Sequence, residues 1–488
     1  MKRIISTLLL VVVMLTTVLA SFTGCNPFGG NKPGTGADFV MPEEGFNTEE
    51  TITIKFYHSM GANLQEVLND AIAEFNTLYP NIIIEHESYG DYNGVRDQIK
   101  TEIAVGGQPH IAYCYPDHIA LYNEAGAVQT LDTLISSDVV VTRADGTTET
   151  IGFTQAQLDD FIQGYYNEGR AFGDGKMYSL PISKSTEVLY YNKTFFEANG
   201  LKVPTTWDEM AEVCEQIKEI DPKCIPLGYD SESNWFITMC EQYGSGYTSA
   251  TGENFIFDNE TNRNFVKMFR EWYEKKWVTT EALSGGYTSA LFTGESSSST
   301  SSNVEAGTRC YMCIGSTGGA TYQQPKSNNG VYEFEVGITS IPQVNPEAPK
   351  VISQGPSVTI FKKDNPQEVI ATWLFAKYLT TNVKFQARMS MTNGYAPVIK
   401  SVTENEIYAN FLASASTEKI QAYAVKVALD QEKAYYVSPA FNGSSVARDQ
   451  VGLLLQECFT MKAGADLDAA IKAAFEACIA ECKYQSGQ

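Results

Sequence analysis

The sequence predicts an α/β protein divided into two lobes, and three observations lead to that prediction. The part of the chain from Thr51 onward holds about 440 residues, more than one hydrophobic core accommodates. Near its start, strand and helix patterns alternate in the order β-α-β-α-β, which is typical of a parallel sheet with helices on its faces. The same alternation returns after Glu187.

The first elements follow from the spacing of their apolar residues. Residues 51–57 alternate apolar and polar side chains, as a strand with one buried face does. Apolar residues then recur at helical spacing over 64–75, and Pro80 ends that helix. The unit is completed by a strand at 81–85, a helix at 95–103 and a strand at 111–115.

The later elements repeat this alternation. Thr206 and Glu209 form a capping box, which predicts that a helix begins there. Helices are also expected from residue 404 onward, the last of them over 467–482. The other expected elements are strands at 187–191, 332–336 and 357–361 and helices at 265–272 and 369–379.

The N-terminus has the pattern of an export signal. Two basic residues precede an apolar run at 4–20, and small residues follow it up to Cys25. The end of this segment resembles a bacterial lipobox, although Phe22 stands where lipoboxes usually carry Leu. We therefore expect residues 1–24 to be a lipoprotein signal peptide and Cys25 to carry the lipid, palmitate included.

A flexible tether is expected next, over residues 25–50, because the segment is rich in turn formers and poor in core formers. The protein would then be held at the cell surface, lipid-anchored to the outer face of the cytoplasmic membrane. The open alternatives are an ordinary signal peptide or an uncleaved anchor, with a cysteine there by chance.

Composition limits the partners. The chain has 58 acidic and 35 basic residues, a net charge of −23, and such a surface repels nucleic acid. No apolar run after residue 20 is long enough to span a bilayer. Aromatic residues make up 12% of the chain, and Tyr and Trp rings suit stacking on sugars, although most of them must fill cores.

The cysteines and histidines do not predict a metal site. Apart from Cys25 the chain has nine cysteines, and we expect most of them to be small buried hydrophobes. Cys310 and Cys313 have redox-motif spacing, but in the strand expected there they would point to opposite faces. His58 and His118 lack the converging ligands that zinc requires. No cofactor is expected.

Several segments together carry a family resemblance. They are FYHSM at 56–60, IKTEIAVGGQPHIA at 99–112, YSLPISKSTEVLYYNK at 178–193, PTTWDE at 204–209, MCIGSTGG at 312–319 and NGYAP at 393–397. In this order and spacing, which are more specific than any single motif, they resemble the extracellular solute-binding proteins of ABC importers that carry sugars and glycerol phosphates. The resemblance runs from Thr51 to about Ala474.

This resemblance implies a periplasmic-binding-protein-like fold, in which two α/β lobes joined by a hinge enclose a central ligand cleft. The first lobe would comprise 51–187 with 356–400, and the second 188–355 with 401–488. The hinge segments would cross near 187–191, 354–358 and 398–403. It also implies a monomeric, non-catalytic protein that closes around a sugar or oligosaccharide and delivers it to the transmembrane subunits of a permease.

The candidate ligand-binding residues follow from two arguments. Ligands of open α/β sheets bind beyond the carboxyl ends of strands, which selects Ser59, Tyr115 and Asp117. Sugars need carboxylates for their hydroxyl edge and aromatic rings for their CH face, and the resemblance places Trp235 as such a ring. The full candidate set is Ser59, Tyr89, Tyr115, Asp117, Glu187, Trp235, Ser316, Gly355, Tyr395 and Asn442. The alternatives are exposed loop acids for Asp117 and Glu187 and a core position for Trp235.

The choice between sugar and phosphate rests on one arginine. The glycerol-3-phosphate branch of the family carries a Gly-x-Arg-x-Gly motif whose arginine holds the phosphate, whereas the matching stretch here, 441–446, has none, and Arg448 comes several residues later. A phosphate without a cation is costly in a closed cleft, so we favour a neutral sugar. Glycerol 3-phosphate or a glycerophosphodiester is the alternative.

Two further classes stay open at this point. A glycan-cleaving enzyme would need two facing carboxylates, and no motif pairs the acids. A structural surface protein would bind no soluble sugar.

Overall fold

The structure is a computed structural model that describes residues 39–294, 307–462, 464 and 466–488. Cys25, the signal peptide and the first part of the expected tether lie outside these ranges. The strands are Ile52–His58 (β1), Ile82–Ser88 (β2), Ile111–Cys114 (β3), Val140–Thr142 (β4), Thr148–Thr150 (β5), Leu180–Pro181 (β6), Glu187–Asn192 (β7), Leu227–Tyr229 (β8), Val278–Thr280 (β9), Met312–Ser316 (β10), Ser327–Asn328 (β11), Val331–Tyr332 (β12), Val336–Ser340 (β13), Val351–Ile352 (β14), Ser357–Ile360 (β15) and Tyr435–Tyr436 (β16).

Helices surround these strands. They are Ala62–Leu78 (α1), Tyr92–Ile103 (α2), Pro116–Glu124 (α3), Asp132–Ile135 (α4), Gln155–Asp160 (α5), Gln163–Glu168 (α6), Lys193–Asn199 (α7), Trp207–Ile220 (α8), Glu232–Tyr243 (α9), Glu260–Glu274 (α10), Glu281–Ser284 (α11), Ser289–Thr293 (α12), Pro366–Thr381 (α13), Val383–Asn393 (α14), Ser401–Glu404 (α15), Glu406–Ala413 (α16), Ile420–Asp430 (α17), Ser444–Thr460 (α18) and Leu467–Gln485 (α19), with 3₁₀ turns at Thr317–Gln323 and Glu432–Ala434. Within the described ranges, no helix is both long and apolar enough to cross a membrane.

Two five-stranded sheets confirm the prediction of two α/β lobes. The first has the order β2-β1-β3-β15-β6, with β1, β2 and β3 parallel and β15 antiparallel to β3. The second has the order β13-β7-β10-β8-β9, with β8, β9 and β10 parallel and β7 antiparallel to β10. Each sheet has its own hydrophobic core, centred on Phe56 and Trp373 in the first lobe and on Trp235 and Phe269 in the second.

Three chain segments run side by side between the lobes. Ser185 pairs with Gln354, and Lys184 pairs with Ala396, each pair exchanging backbone hydrogen bonds. Gly355 has a φ of +97°, and a Cβ added there would lie 2.6 Å from the Ser183 carbonyl oxygen. Only glycine allows the segments to approach this closely.

Two boundaries differ from those expected from the sequence. Phe39 and Phe46 are buried in the first lobe's core, and Gln367 accepts a hydrogen bond from the Asn47 N–H, so the described end of the expected tether packs on the lobe. Val402 and Tyr408 lie in the same core. Helices α15 and α16 therefore pack with the first lobe, whereas the lobe boundary was placed at residue 400.

The crossing expected at 398–403 continues later in the chain, where α17 packs on both lobes. It packs on α14 and α16 of the first lobe and on β7 and β13 of the second.

The described cysteines are all free thiols and all buried, as expected from the sequence. Cys313 lies in β10, and Cys310 precedes that strand. Nowhere in the described ranges do three or more His, Cys, Asp or Glu side chains converge as metal ligands would. The strand expected at 332–336 is two strands, β12 and β13, separated by residues 333–335.

Candidate ligand-binding site

A cleft lies between the two lobes, with one wall from the first lobe and the other from the hinge and the second lobe. Its empty volume is about 540 Å³, counting the part open to solvent, which is the size range of small-molecule sites. The first-lobe wall consists of Tyr115, Pro116, Asp117 and Glu168. The hinge and the second lobe supply Ile237, Tyr247, Ile352, Ser353, Gln354, Val437, Ser438, Pro439, Ser444 and Arg448.

The first-lobe wall is built at the carboxyl end of β3. Tyr115 precedes helix α3, and Asp117 lies in the first turn of that helix, where the helix dipole favours a negative charge. The Tyr115 ring packs 4.4 Å from the ring of Tyr92, centroid to centroid, and Tyr92 stacks on Tyr113 at 5.9 Å. This wall therefore offers one carboxylate beside a group of tyrosine rings.

The second-lobe wall is built around the first turns of helix α18. The helix begins after Gly443, whose φ of +101° and lack of a side chain leave the N-terminus without a side-chain cap at that position. Ser444 and Arg448 are four residues apart on this helix and share the face that lines the cleft. Tyr247 lies beside them.

Arg448 and Asp117 are opposite charges on opposite walls. Burial lowers the pKa of Arg448, but the charge of Asp117 and the neighbouring Tyr247 and Tyr115 raise it above the ordinary arginine value. Throughout the described part of the chain, no carboxylate forms an ion pair with Arg448 within 4 Å. Its Nη2 instead donates to Asn234 Oδ1. The guanidinium therefore keeps donors available to a ligand.

Three hydroxyl groups in the cleft have no hydrogen-bond partner among the described residues. They belong to Tyr247, Ser353 and Ser438. Tyr247 is 4% exposed and Ser353 is 6% exposed, so neither side chain is open to bulk water. Buried polar groups in folded proteins are nearly always satisfied, and an unpartnered group usually marks a ligand or water site.

A hydrogen-bond network lies beneath the floor of the cleft. Asn234 Nδ2 donates to Glu187 Oε1 at 2.9 Å and to Gln354 Oε1 at 2.8 Å, and the Tyr229 hydroxyl donates to Glu187 Oε2 at 2.7 Å. Burial raises the pKa of Glu187 to about 7, against the opposing effect of these donors and of Arg448.

A buried ion pair between Lys184 and Glu168 also connects the hinge to the cleft. The Lys184 ammonium forms an ion pair with Glu168, which lines the cleft. The same ammonium donates to the Gly355 carbonyl at 3.1 Å and to the Ser357 hydroxyl at 3.3 Å. Burial raises the pKa of Glu168, although Lys184 opposes this.

Comparison with known proteins shows which family the chain belongs to. The family model described as bacterial extracellular solute-binding protein matches residues 70–415, well over half of the chain. The chain belongs to this family. It is a family of binding proteins rather than enzymes.

Sequence relatives match part of this solute-binding protein. The sn-glycerol-3-phosphate-binding periplasmic protein UgpB of Escherichia coli K12 is 29% identical over 189 residues, which cover 38% of this chain and 39% of the relative. The Shigella flexneri protein of the same name is 30% identical over 192 residues. The chain thus matches about two fifths of the length of these relatives.

Solved structures confirm the fold over nearly the whole solute-binding protein. UgpB from Mycobacterium tuberculosis in complex with glycerophosphocholine has a TM-score of 0.68 and 17% identity, covering 89% of this chain and 99% of that one. Maltose-bound MalE3 from T. maritima has a TM-score of 0.66 and 16% identity, with 89% and 100% covered. A Listeria monocytogenes ABC substrate-binding protein in complex with cycloalternan gives 0.67 and 15%, with 90% and 100% covered.

The structure brings two of the candidate residues, Tyr115 and Asp117, into the cleft. Tyr395 lies among the first-lobe tyrosines. A Cβ added to Gly318 would come 2.7 Å from the Tyr395 ring, so this ring faces the turn that follows Ser316. Ser316 caps that turn by accepting from the Gly318 N–H at 3.1 Å. Ser59 follows β1 and is half-buried. Contact of these residues with a ligand stays a prediction.

Trp235 is corrected by the structure. Its side chain is completely buried, stacks on Tyr229 at 4.8 Å and packs against Phe269 at 4.1 Å. No face of the ring is left for a sugar, so Trp235 is a core residue. The alternative considered from the sequence is therefore the correct one.

Four other candidates lie outside the cleft lining. Both Glu187 oxygens accept hydrogen bonds from protein groups, and the Gly355 carbonyl accepts from Lys184. Tyr89 packs on Tyr57 at 4.8 Å, and its hydroxyl donates to Glu87. Asn442 Nδ2 donates to Glu124 Oε1 at 2.9 Å, which joins the two lobes at the rim.

The sequence argument missed Arg448, Glu168 and Tyr247. Arg448 was set aside because it comes after the position of the family motif. Its place in the first turns of α18 brings it to the cleft despite that offset. The detectable signal was its helical spacing of four from Ser444. For Glu168 and Tyr247 we find no sequence signal.

Proposed function

We propose that the chain is the ligand-binding component of an ABC importer and that it captures a solute without net charge, in the first place a sugar or oligosaccharide. The observation that carries this proposal is the charge balance of the cleft. Arg448 opposes Asp117, and Lys184 opposes Glu168. A neutral solute leaves both pairs balanced, whereas a net charge buried there would be poorly compensated.

The polar groups suit a ring of hydroxyls. Asp117 accepts hydrogen bonds, Arg448 donates them, and the Tyr247, Ser353 and Ser438 hydroxyls can do either. Tyr115 supports contact with the apolar face of a sugar. Micromolar affinity needs about 8 kcal/mol, which several such hydrogen bonds and one stacked ring can supply.

A zwitterionic phosphodiester of glycerol is the second candidate. Arg448 and the N-terminus of α18 lie on one wall and suit a phosphodiester anion. Asp117 and Tyr115 lie on the other wall and suit a cationic headgroup. The argument from a missing cation therefore no longer counts against phosphate. Glycerol 3-phosphate is less favoured, because its phosphate carries a net charge that faces Asp117.

Cellular location and partners complete the proposal. Export and lipidation at Cys25 would hold the protein on the outer face of the cytoplasmic membrane. It would act as a monomer and pass its solute to the transmembrane subunits of a permease. These follow from the sequence pattern and from the family.

A thermal-shift panel tests the proposed function. The purified protein is heated with mono- and oligosaccharides, glycerophosphocholine and glycerol 3-phosphate. A solute at 100 times its Kd should add about 2.7 kcal/mol to the free energy of unfolding. Stabilisation by a neutral or zwitterionic solute is the expected result. Absence of any shift over a broad panel would contradict the proposal and favour a structural surface protein.

A further inference from the structure

Asn234 occupies a position between the cleft and the hinge. Its side chain is 4% exposed and lies in the first turn of α9. The amide oxygen accepts from Arg448 Nη2, and the amide nitrogen donates to Glu187 Oε1 and Gln354 Oε1. One buried amide therefore contacts the cleft arginine on one side and two acceptors on the other.

The orientation of this amide is fixed by its partners. Arginine has only donors, so the group facing Arg448 must be the amide oxygen. Glu187 offers acceptors when it is ionised, so the group facing it must be the NH₂. A flipped amide would set donor against donor at Arg448 and acceptor against acceptor at Glu187. Arg448 and Glu187 therefore both fix the same orientation of the Asn234 amide.

The two acceptors belong to the two hinge segments. Glu187 begins β7, just after the first crossing, and Gln354 lies on the returning segment, where it pairs with Ser185 through the backbone. The amide of Asn234 thus links the guanidinium to both crossings at once.

We infer that Asn234 is a positioning residue for the solute site: held by Glu187 and Gln354, it fixes the Arg448 guanidinium in the orientation that a bound solute requires. This inference rests on the proposed function, and it assigns Asn234 and Glu187 roles behind the site rather than in contact with solute. A free arginine side chain has several rotamers, and holding one of them in advance lowers the entropic cost of binding.

A double-mutant cycle tests this role. Asn234→Ala and Arg448→Ala are made singly and together, and the Kd of glycerophosphocholine or maltotriose, whichever stabilises the wild-type protein more, is measured by calorimetry. Asn234→Ala should weaken binding by about tenfold in the wild-type background. In the Arg448→Ala background the same change should cost less than about threefold, because the residue that Asn234 positions is gone.

Gln367→Ala is the control. Gln367 carries a buried amide in the first lobe that donates to the Gly45 carbonyl and accepts from the Asn47 N–H, and none of these residues lines the cleft. Its substitution should lower stability and leave the Kd within about twofold. Equal losses from Asn234→Ala in both backgrounds would mean a merely structural role and would overturn the inference. If Asn234→Ala does not fold, Asn234→Asp, which keeps the shape but loses both donors, enters the same cycle.

A measurement on the unliganded protein tests the inference independently of the proposed function. If no probe binds the wild-type protein, the proposed function fails, and the arginine side-chain NMR signals of the unliganded protein are compared. The Arg448 Nε–H signal, assigned by its loss in Arg448→Lys, should be resolved in the wild-type protein and broadened or shifted in Asn234→Ala. An unchanged signal would overturn the inference.

Discussion

Ser185 and Gln354 exchange two backbone hydrogen bonds, of 2.8 and 2.9 Å, at the point where the chain passes between the lobes in both directions. The bonds make the two crossing segments one short paired ribbon. Gln354 of this ribbon lines the cleft, and Lys184 pairs with Glu168, which lines it as well. The cleft and the hinge are therefore connected through a few specific side-chain contacts.

Tyr247→Phe separates a ligand contact from a structural one. The Tyr247 hydroxyl is buried without a partner in the described structure. Its removal should leave the free energy of unfolding unchanged or slightly higher, because an unsatisfied group is lost. Affinity for the bound solute should fall by about fivefold to tenfold. Chemical denaturation and calorimetry measure the two effects, and a loss of stability with unchanged Kd would contradict the assignment.

Arg96→Gln should open the rim of the cleft. Arg96 Nη1 lies 3.2 Å from Asp449 Oδ2 on the other lobe, and Asp449 is half exposed. A partly exposed pair of this kind contributes about 1 kcal/mol, so the solute should dissociate about twofold to fivefold faster. Stopped-flow fluorescence measures the rate. Lys202→Gln, which breaks a surface pair with Glu209 within one lobe, is the control and should change nothing.

Lys184→Met should destabilise the protein strongly. The substitution leaves the Glu168 carboxylate buried without its partner, and breaking a buried pair in this way costs about 3–5 kcal/mol. The double variant Lys184→Met, Glu168→Leu should recover most of that loss, because both charges are gone. Urea denaturation measures the free energies. A single variant as stable as the wild type would show that the pair carries no structural role.

The contribution of Glu187 to the stability of the protein should fall as pH rises from about 4.5 to 7. Burial raises the pKa of Glu187 to about 7, so the folded state holds a proton that the unfolded state has lost over this range. The effect amounts to at most about 3 kcal/mol. Burial raises the pKa of Glu281 to about 7 as well, so it adds a slope of the same sign.

Glu187→Gln removes one of these two titrating groups. The unfolding free energy of this variant relative to the wild type should therefore rise by up to about 3 kcal/mol between pH 4.5 and 7. Glu260→Gln, at an exposed position on α10, should keep the wild-type slope. A Glu187→Gln profile identical to that of the wild type would contradict the burial argument.

Periodicity and family resemblance were enough to predict the fold but not the position of every side chain. The β1 to β3 unit follows from alternation that any half-buried strand shows. Trp235 could not be placed in this way, because helix α9 is buried on nearly all sides and its pattern does not say which face meets the cleft. Val402 and Tyr408 join the first core through tertiary packing that the local sequence does not encode.

Arg448 was missed for a different reason. Its offset from the family motif was judged along the chain, whereas a helix returns to the same face every three to four residues. Ser444 and Arg448 share a face for that reason, so the cation reaches the cleft. The Glu168–Lys184 pair joins segments 16 residues apart, and neither partner signals the other in sequence.

Calorimetric titration of the wild-type protein, Asp117→Asn and Arg448→Ala with a neutral sugar, glycerophosphocholine and glycerol 3-phosphate tests the central claim most directly. The account predicts that a neutral or zwitterionic solute binds, that glycerol 3-phosphate binds at least about tenfold more weakly, and that both substitutions weaken binding by about tenfold. Binding of glycerol 3-phosphate alone, or binding that neither substitution changes, would contradict a charge-balanced cleft between Asp117 and Arg448.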